Sequence, residues 1–463
     1  MKRVNSWEEV EDLSWIKNET VIKNVNIYDF SSFHSNSFVH FSDKIIKTGS
    51  MDEFEEYIEL FDNLKVMDGE NQLVMPTLIA GHTHIYSTFA RGMSVPFNPK
   101  SFTDILTQLW WKLDNELDEE TVFLSGLVSG LDFIKNGVTT VFDHHASGKS
   151  ISGVLDVLSR SVCDEVGMRG GFCFETSDRF NVDACIDENN RFIEASKLKS
   201  DRFGLFGLHA SMTLSDETLN KVKSVIGEEP IHIHVAESIE DQEHSLKKYG
   251  KSVIERLDGF GLLNKNSILV HCIHITPEDA LIIKEAECFV ALNVTSNMNN
   301  SVGLPNIKLL RDAGIKCIIG NDGMTSDITS EWRNLLFALH HQTKSPTGFT
   351  LDDLREMILN SYEYANRLMS CKIGELAGGY EADLMMLAYN PPTPMNEDNA
   401  LGHVIFGLSH SFKPQYVWCK GTLLIENYEL NEHRYKDVLP KLDHVQESVK
   451  RLWDRINNNS NLV

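Results

Sequence analysis

Thr77-Leu78-Ile79-Ala80-Gly81-His82-Thr83-His84 decides how this chain is read. It is a short, largely apolar run that ends in an imidazole, with a second imidazole two positions on. In an extended segment, side chains two apart point the same way. As a strand, the run therefore sets His82 and His84 on one face, and two imidazoles on one face are the start of a metal site. Taken alone, the pair fits a ligand pair and ordinary surface or core histidines equally well.

Working outward, runs of the same kind recur at residues 139–143, 169–175, 203–209, 231–235, 267–271, 288–293 and 315–322. Segments with helical spacing separate them, among them 119–136, 151–166, 217–225 and 277–285. Strand–helix alternation implies a parallel sheet with crossover helices. Counting the first run, there are eight, as a (β/α)₈ barrel requires. The rival is an open doubly wound sheet, but no Gly-x-Gly-x-x-Gly follows the first run. Gly148-Lys149-Ser150 lacks the upstream glycine of a phosphate-binding loop.

Upstream, residues 21–30, 38–48 and 64–74 alternate apolar and polar side chains and read as strands, with Asp68-Gly69 as a turn signal. β texture returns after about residue 375, at 382–388, 416–419 and 422–426. The expected architecture is thus an α/β chain in three parts. Residues 1–75 and 375–431 form a composite β-sandwich domain, 76–374 a TIM-like metal-dependent hydrolase barrel, and 432–463 a C-terminal helix and tail. In that last part Val438, Leu442, Val445, Val449, Leu452 and Ile456 make one apolar stripe, which packs on the body or on a partner subunit. Residues 457–463 are expected to fray.

Composition narrows the partners. Among 463 residues, Lys plus Arg is 43 and Asp plus Glu 67, a formal net charge of −24. Bulk charge of that sign disfavours nucleic acid and anionic membrane as partners. No apolar stretch approaches the roughly 20 residues that span a bilayer, and the opening MKRVNSWEEVEDLSW has no apolar core of a secretion signal. The 8 cysteines form no Cys-x-x-Cys pair, which excludes zinc-finger and thioredoxin readings. They are expected as reduced thiols in a cytoplasmic protein.

Barrel enzymes place their chemistry at the C-terminal ends of the strands. The fifth run ends in His232-Ile233-His234-Val235-Ala236-Glu237, the sixth in Val270-His271-Cys272-Ile273-His274, and the eighth in Gly320-Asn321-Asp322-Gly323. A carboxylate such as Asp322, capping a buried apolar strand, needs a cation or a donor. Each feature has a bland explanation. Four strand ends carrying metal-ligand chemistry do not share one easily.

These motifs together resemble the amidohydrolase superfamily, in its branch of heterocycle aminohydrolases and chlorohydrolases. Residues 75–84 resemble the branch's Pro-Gly-Leu-Ile-x-x-His-x-His, with Thr77 in place of Gly. Residues 231–237 resemble its His-x-x-Glu strand, 269–275 its Ala-His-Cys-Val-His-Leu, and 320–323 its Gly-Thr-Asp-Gly. Ile373-Gly374 and Ala382-Asp383-Leu384 resemble its return strand. Within the branch, Trp110-Trp111-Lys112-Leu113-Asp114, Phe142-Asp143-His144-His145 and Asn297-Met298-Asn299-Asn300 are most similar to bacterial aminohydrolases associated with selenium metabolism and purine breakdown. At 292–297 the chain has Leu292 and Val294 where many relatives read His and Pro.

The resemblance and the residues together imply a site. His82, His84, His234 and Asp322 are expected to hold one divalent ion, Zn²⁺ or alternatively Fe²⁺. Neither 203–212 nor 231–237 contains the lysine with which two-metal relatives bridge their ions. Such an ion acidifies a bound water. Asp322 is expected to take the water's proton, Glu237 to protonate the substrate ring nitrogen, and His271 to bind either the ion or the water. His209, Trp110, Arg91, Arg169 and Asn297 are the expected substrate contacts. The expected activity is deamination of a purine-like heterocycle by a homo-oligomer, a dimer or a tetramer. Ring opening of a cyclic amide or amidine is the alternative. A catalytically silent partner of a purine-oxidising complex is the alternative from another class.

Overall fold

The computed structural model describes residues 19–62 and 64–460. The expectation of no secretion signal falls on residues 1–15, outside the described residues. Five strands open the chain: β1 (Thr20–Tyr28), β2 (Phe33–Phe41), β3 (Ile45–Ser50), β4 (Lys65–Asp68) and β5 (Leu73–Pro76). Two stretches expected as single strands are each divided. Residues 38–48 turn back at Ser42-Asp43-Lys44 into an antiparallel β2–β3 hairpin. Residues 64–74 break after Asp68, where Glu70 and Asn71 take left-handed backbone (φ 52° and 61°), which no strand can continue through.

The barrel strands follow as β6 (Leu78–Thr83), β7 (Val138–His145), β8 (Arg169–Phe174), β9 (Arg202–Gly204), β10 (Phe206–Ala210), β11 (Ile231–Val235), β12 (Ile268–His271), β13 (Phe289–Leu292) and β14 (Lys316–Ile319). All neighbouring pairs are parallel, in two series, β6 to β9 and β10 to β14. β9 and β10 are one strand interrupted at Leu205, whose N–H still bonds to the Phe172 carbonyl of β8. A parallel bridge between Thr176 and Leu208 joins the two series on one side, and one between Thr83 and Asp322 joins them on the other. The ring therefore closes with eight strands. These runs are apolar along their length because their residues are nearly all buried on both faces. The intervening helices start on sequence-coded caps. Asp118 accepts from the Thr121 N–H to start Glu119–Lys135, and Thr276 with Asp279 forms a capping box ahead of Pro277–Glu285.

The chain then returns with β15 (Leu384–Leu387), β16 (Tyr416–Cys419), β17 (Thr422–Glu426) and β18 (Glu429–Leu430). β15 pairs antiparallel with β5, so strands from both chain ends form one sheet in the order β18-β17-β16-β15-β5-β1-β2-β3, with β4 beside β1. Ile22, Val39, Val74, Leu384 and Trp418 meet in its core. Two compact units result: residues up to Thr77 with Cys371–Arg434, and Leu78–Ser370 with the segment from Tyr435 onward. No helix of the described residues is long and apolar enough to cross a membrane.

The expected stripe from Val438 to Ile456 is not one helix. A 3₁₀ turn occupies Leu439–Leu442, and a separate helix runs Val445–Ser460, through part of the stretch expected to fray. Pro440 is tolerated only in the first turn of a helix, so no helix runs through it from Val438. The later helix packs on the barrel unit. The Trp453 indole donates to the Phe89 carbonyl (2.8 Å) and Arg455 pairs with Asp118 (2.9 Å). Leu452 is fully buried in this contact. Leu452→Ala is expected to cost about 2–5 kcal/mol of stability, read as a lowered urea midpoint for the barrel unit.

Candidate active site

The site is built at the C-terminal tips of the barrel strands. β6 ends at His82 and Thr83, with His84 just beyond. β11 carries His234. Asp322 follows β14 and is stitched to β6 by backbone: the Asn321 N–H donates to the His82 carbonyl (2.9 Å) and the His84 N–H to the Asp322 carbonyl (3.1 Å). One ligand-type atom from each of His82, His84, His234 and Asp322 lies within 4.8 Å of the others. His84 Nε2 is 3.1 Å from His234 Nε2, and Asp322 Oδ1 is 3.2 Å from His84 Nε2 and 3.6 Å from His82 Nε2.

The hydrogen-bond pattern tests whether a cation fits. His84 Nδ1 donates to the His144 carbonyl (2.7 Å), and His234 Nδ1 to the His209 carbonyl (2.9 Å). That leaves the two Nε2 atoms facing each other, and Asp322 outweighs burial to raise the affinity of His84 Nε2 for positive charge. The buried His82 Nε2 has no hydrogen-bond partner either, while its Nδ1 is held by His232 (2.8 Å). Burial pushes the His82 imidazolium down to about 4 and holds that of His234 well below its usual value, so both present neutral nitrogens. Burial opposes ionisation of Asp322, but His82 and His84 outweigh it and hold its carboxyl well below the usual range. Converging lone pairs beside a carboxylate repel unless a cation sits among them. Ligating imidazoles that donate their other N–H to a carbonyl are the usual arrangement around a bound metal. The donor set fits one divalent ion.

Close approach makes this possible. A Cβ on Gly320 would lie 2.4 Å from Asn293 Oδ1 and 2.6 Å from the His82 carbonyl. Gly320→Ala is therefore expected to lose about 1–3 kcal/mol of stability and to weaken ion binding, checked by denaturation and metal titration. His271 and Asp322 both sit in left-handed backbone (φ 72° and 53°), a strain that persists where surrounding structure over-determines it.

Beside the four groups stand Glu237 and His271. His271 Nε2 lies 3.4 Å from Glu237 Oε2, and Asn297 Nδ2 is 2.8 Å from His271 Nδ1. Asn300 reaches Glu237 Oε1 at 3.5 Å. The Ser296 hydroxyl donates to Asp322 Oδ2. Burial, then the charge of Asp322, pushes the Glu237 carboxyl well above its usual range, so it holds a proton readily. Glu237, Ser296, Asn300 and Asp322 face a cavity of about 850 Å³, its open mouth included.

The expected residues divide. His84, His234, Glu237, Asp322, His209 and Trp110 line the cavity. Asn297 stands behind His271 rather than on the cavity wall. Arg91 and Arg169 are not brought in. Arg91 is exposed and pairs with Asp132 (2.9 Å). Arg169 is the first residue of β8 and so lies at the opposite strand end from the tips. Sequence reasoning passes over, as site residues, Glu175, which directly follows β8, and Asp114, in the short helix Trp111–Glu116. Both line the cavity. It passes over Arg179 as well, which bridges the two carboxylates. The available signal for Glu175 is its place at a strand tip.

Residues 73–424 match the amidohydrolase family, and the chain belongs to it. The chain is 28% identical over 386 residues to a 5-methylthioadenosine/S-adenosylhomocysteine deaminase of Desulfitobacterium hafniense, covering 79% of this chain and 84% of that enzyme. It is 26% identical over 378 residues to a 5′-deoxyadenosine deaminase of Methanocaldococcus jannaschii, covering 79% of this chain and 86% of that one. A crystal structure of a Xanthomonas campestris adenosine deaminase with bound zinc superposes with a TM-score of 0.80 at 19% identity, covering 95% of this chain and 99% of that chain. The chain is thus a hydrolase of the family's aminohydrolase branch, acting on carbon–nitrogen bonds of heterocycles.

Proposed function

We propose that this enzyme releases ammonia from a purine-like ring, with His82, His84, His234 and Asp322 holding one divalent ion. The observation that carries the reading is the set of facing imidazole nitrogens beside Asp322, with the protonatable Glu237 on the same cavity wall. The deaminases among its relatives support the same reaction. Zinc is favoured over iron because imidazole and carboxylate suit both, while a related fold was solved with zinc bound. When bound, such an ion lowers the pKa of a water towards about 7 and polarises it for attack.

The chain's own groups do the rest. Asp322, anchored at Oδ2 by Ser296, orients the water and takes its proton at Oδ1. Glu237 gives its proton to the ring nitrogen next to the amino-bearing carbon, which makes that carbon electrophilic. His271, set by Asn297, lies against Glu237 and steadies the attacking oxygen. The proton held by Asp322 then passes to the amino group and the C–N bond breaks. Ammonia leaves as the hydroxyl on that carbon returns its proton to Glu237 and becomes a ring carbonyl. Shuttling of this kind contributes about 10²–10⁴ in rate. The same reading makes the enzyme a cytoplasmic homo-oligomer working in purine breakdown. Its eight cysteines, seven of them buried and none in a disulfide, support a reducing compartment.

The test is ammonia release from adenosine, 5′-deoxyadenosine, adenine and guanine by zinc- and iron-loaded enzyme, with ring absorbance followed in parallel. Ammonia with an intact, red- or blue-shifted ring spectrum is expected. Loss of ring absorbance without ammonia means ring opening instead. A bound ion with no turnover on any heterocycle means a silent partner.

A further inference from the structure

One stretch of the cavity wall takes no part in the proposed chemistry. Asp114 and Glu175 face the cavity, yet they are only 1% and 3% exposed. Arg179 lies between them, with Nη2 2.7 Å from Asp114 Oδ1 and Nη1 2.9 Å from Glu175 Oε1. Its guanidinium stacks 4.5 Å from the centre of the Trp111 ring. One positive charge thus serves two carboxylates, and it engages one oxygen of each. Among the described residues, neither second oxygen has a hydrogen-bond partner. Burial, opposed by Arg179 and reinforced by Glu175, pushes the Asp114 carboxyl up to about 7, whereas His209 and Arg179 outweigh burial at Glu175 and hold it down to about 2.

Beyond the imidazoles of His84 and His209, the rest of the cavity wall supplies no permanently charged partner for these acids. Among the described residues, its lining contains neither lysine nor arginine. Of the other lining acids outside the ion site, Glu237 serves the proposed chemistry, and Asp241 has both oxygens occupied by the backbone N–H groups of Met212 (2.9 Å) and Ala236 (3.1 Å). Trp110, Trp111, Phe102 and Tyr86 line the same space, and aromatic faces beside carboxylates are the usual setting for an organic cation. A carboxylate or phosphate entering against this wall would meet two acids whose one positive partner, Arg179, is already engaged by both.

We propose that the Asp114–Glu175 wall is a specificity subsite for a positively charged amino group carried by the substrate, and that it rejects an anionic group at the same place. The subsite rests on the reading of the cavity as one for a purine-like ring. It restricts that reading: a ring bearing an ammonium substituent is preferred to the neutral parent, and one bearing a carboxylate is excluded.

The experiment uses three compounds that differ at one carbon: 5′-amino-5′-deoxyadenosine, adenosine and adenosine 5′-carboxylate. Ammonia release is measured at pH 7 on the zinc-loaded enzyme. Binding of the same compounds is measured by calorimetry on zinc-loaded Glu237→Gln, so that affinity is read without turnover. A charge-assisted hydrogen bond in a buried site makes the ammonium compound better by about tenfold or more in kcat/KM and in affinity, with the carboxylate at least about a hundredfold below adenosine. Glu175→Gln brings the ammonium-to-adenosine ratio close to one. Asp114→Asn serves the same purpose should Glu175→Gln fail to fold, as judged by near-UV circular dichroism.

If no compound releases ammonia but the ammonium compound binds preferentially and does so through Glu175 or Asp114, the subsite stands and the deamination reading fails. Equal binding of the three, preference for the carboxylate, no binding of any, or a preference unchanged in both variants overturns the subsite.

Discussion

Glu237→Gln yields a folded chain that retains its ion and releases ammonia about 10²–10⁴-fold more slowly. Glutamine keeps the volume and the amide can still meet Asn300 and His271, which now lie 3.5 and 3.4 Å from the carboxylate oxygens. What it cannot do is hand over a proton. The loss therefore appears in kcat, while affinity for the heterocycle changes little. Because Glu237 lies outside the group formed by His82, His84, His234 and Asp322, metal content by mass spectrometry stays near one ion per chain. A variant with undiminished kcat removes Glu237 from the proton path. A variant that loses the ion moves it into the ligand set.

His234→Ala gives the other large effect. His234 is the sole member of the group from β11, and its Nε2 stands 3.1 Å from that of His84. Removing it leaves two imidazoles near one strand tip and a carboxylate near another, and takes away one nitrogen donor from the set that holds the ion. Bound zinc after dialysis is expected to fall well below one per chain, with activity falling in proportion and returning poorly on adding zinc. Treating the parent enzyme with a chelator gives the same loss of activity, but zinc restores it fully. Retention of a full ion by His234→Ala would remove that residue from the centre.

The strand tips were the most legible part of the molecule, for a physical reason. A strand buried on both faces is largely apolar, so polar residues gathered at its C-terminal end mark where it reaches the open end of the barrel. That is why His82, His234, His271 and Asp322 stand out in one sequence. The same logic extends to Glu175 and to Asp143-His144-His145, which end β8 and β7 and surround the imidazoles. It also places Arg169 at the wrong end of β8 for a substrate contact. Partners distant in sequence are a different matter. The Arg179–Asp114 pair spans 65 residues, and periodicity contains no trace of it. Arg91 looks free in the sequence because Asp132, on the helix Glu119–Lys135, is 41 residues away. The misjudged β stretches at 38–48 and 64–74 were broken by short turns inside apolar alternation, and the C-terminal stripe by Pro440.

The account stands on one ion at one place. Crystals of the zinc-loaded chain, with anomalous diffraction collected on either side of the zinc absorption edge, test it most directly. The expected result is a single anomalous peak at about 2.0–2.2 Å from the Nε2 atoms of His82, His84 and His234 and from a carboxylate oxygen of Asp322. A map with no peak among these residues, or with two peaks bridged there, contradicts it.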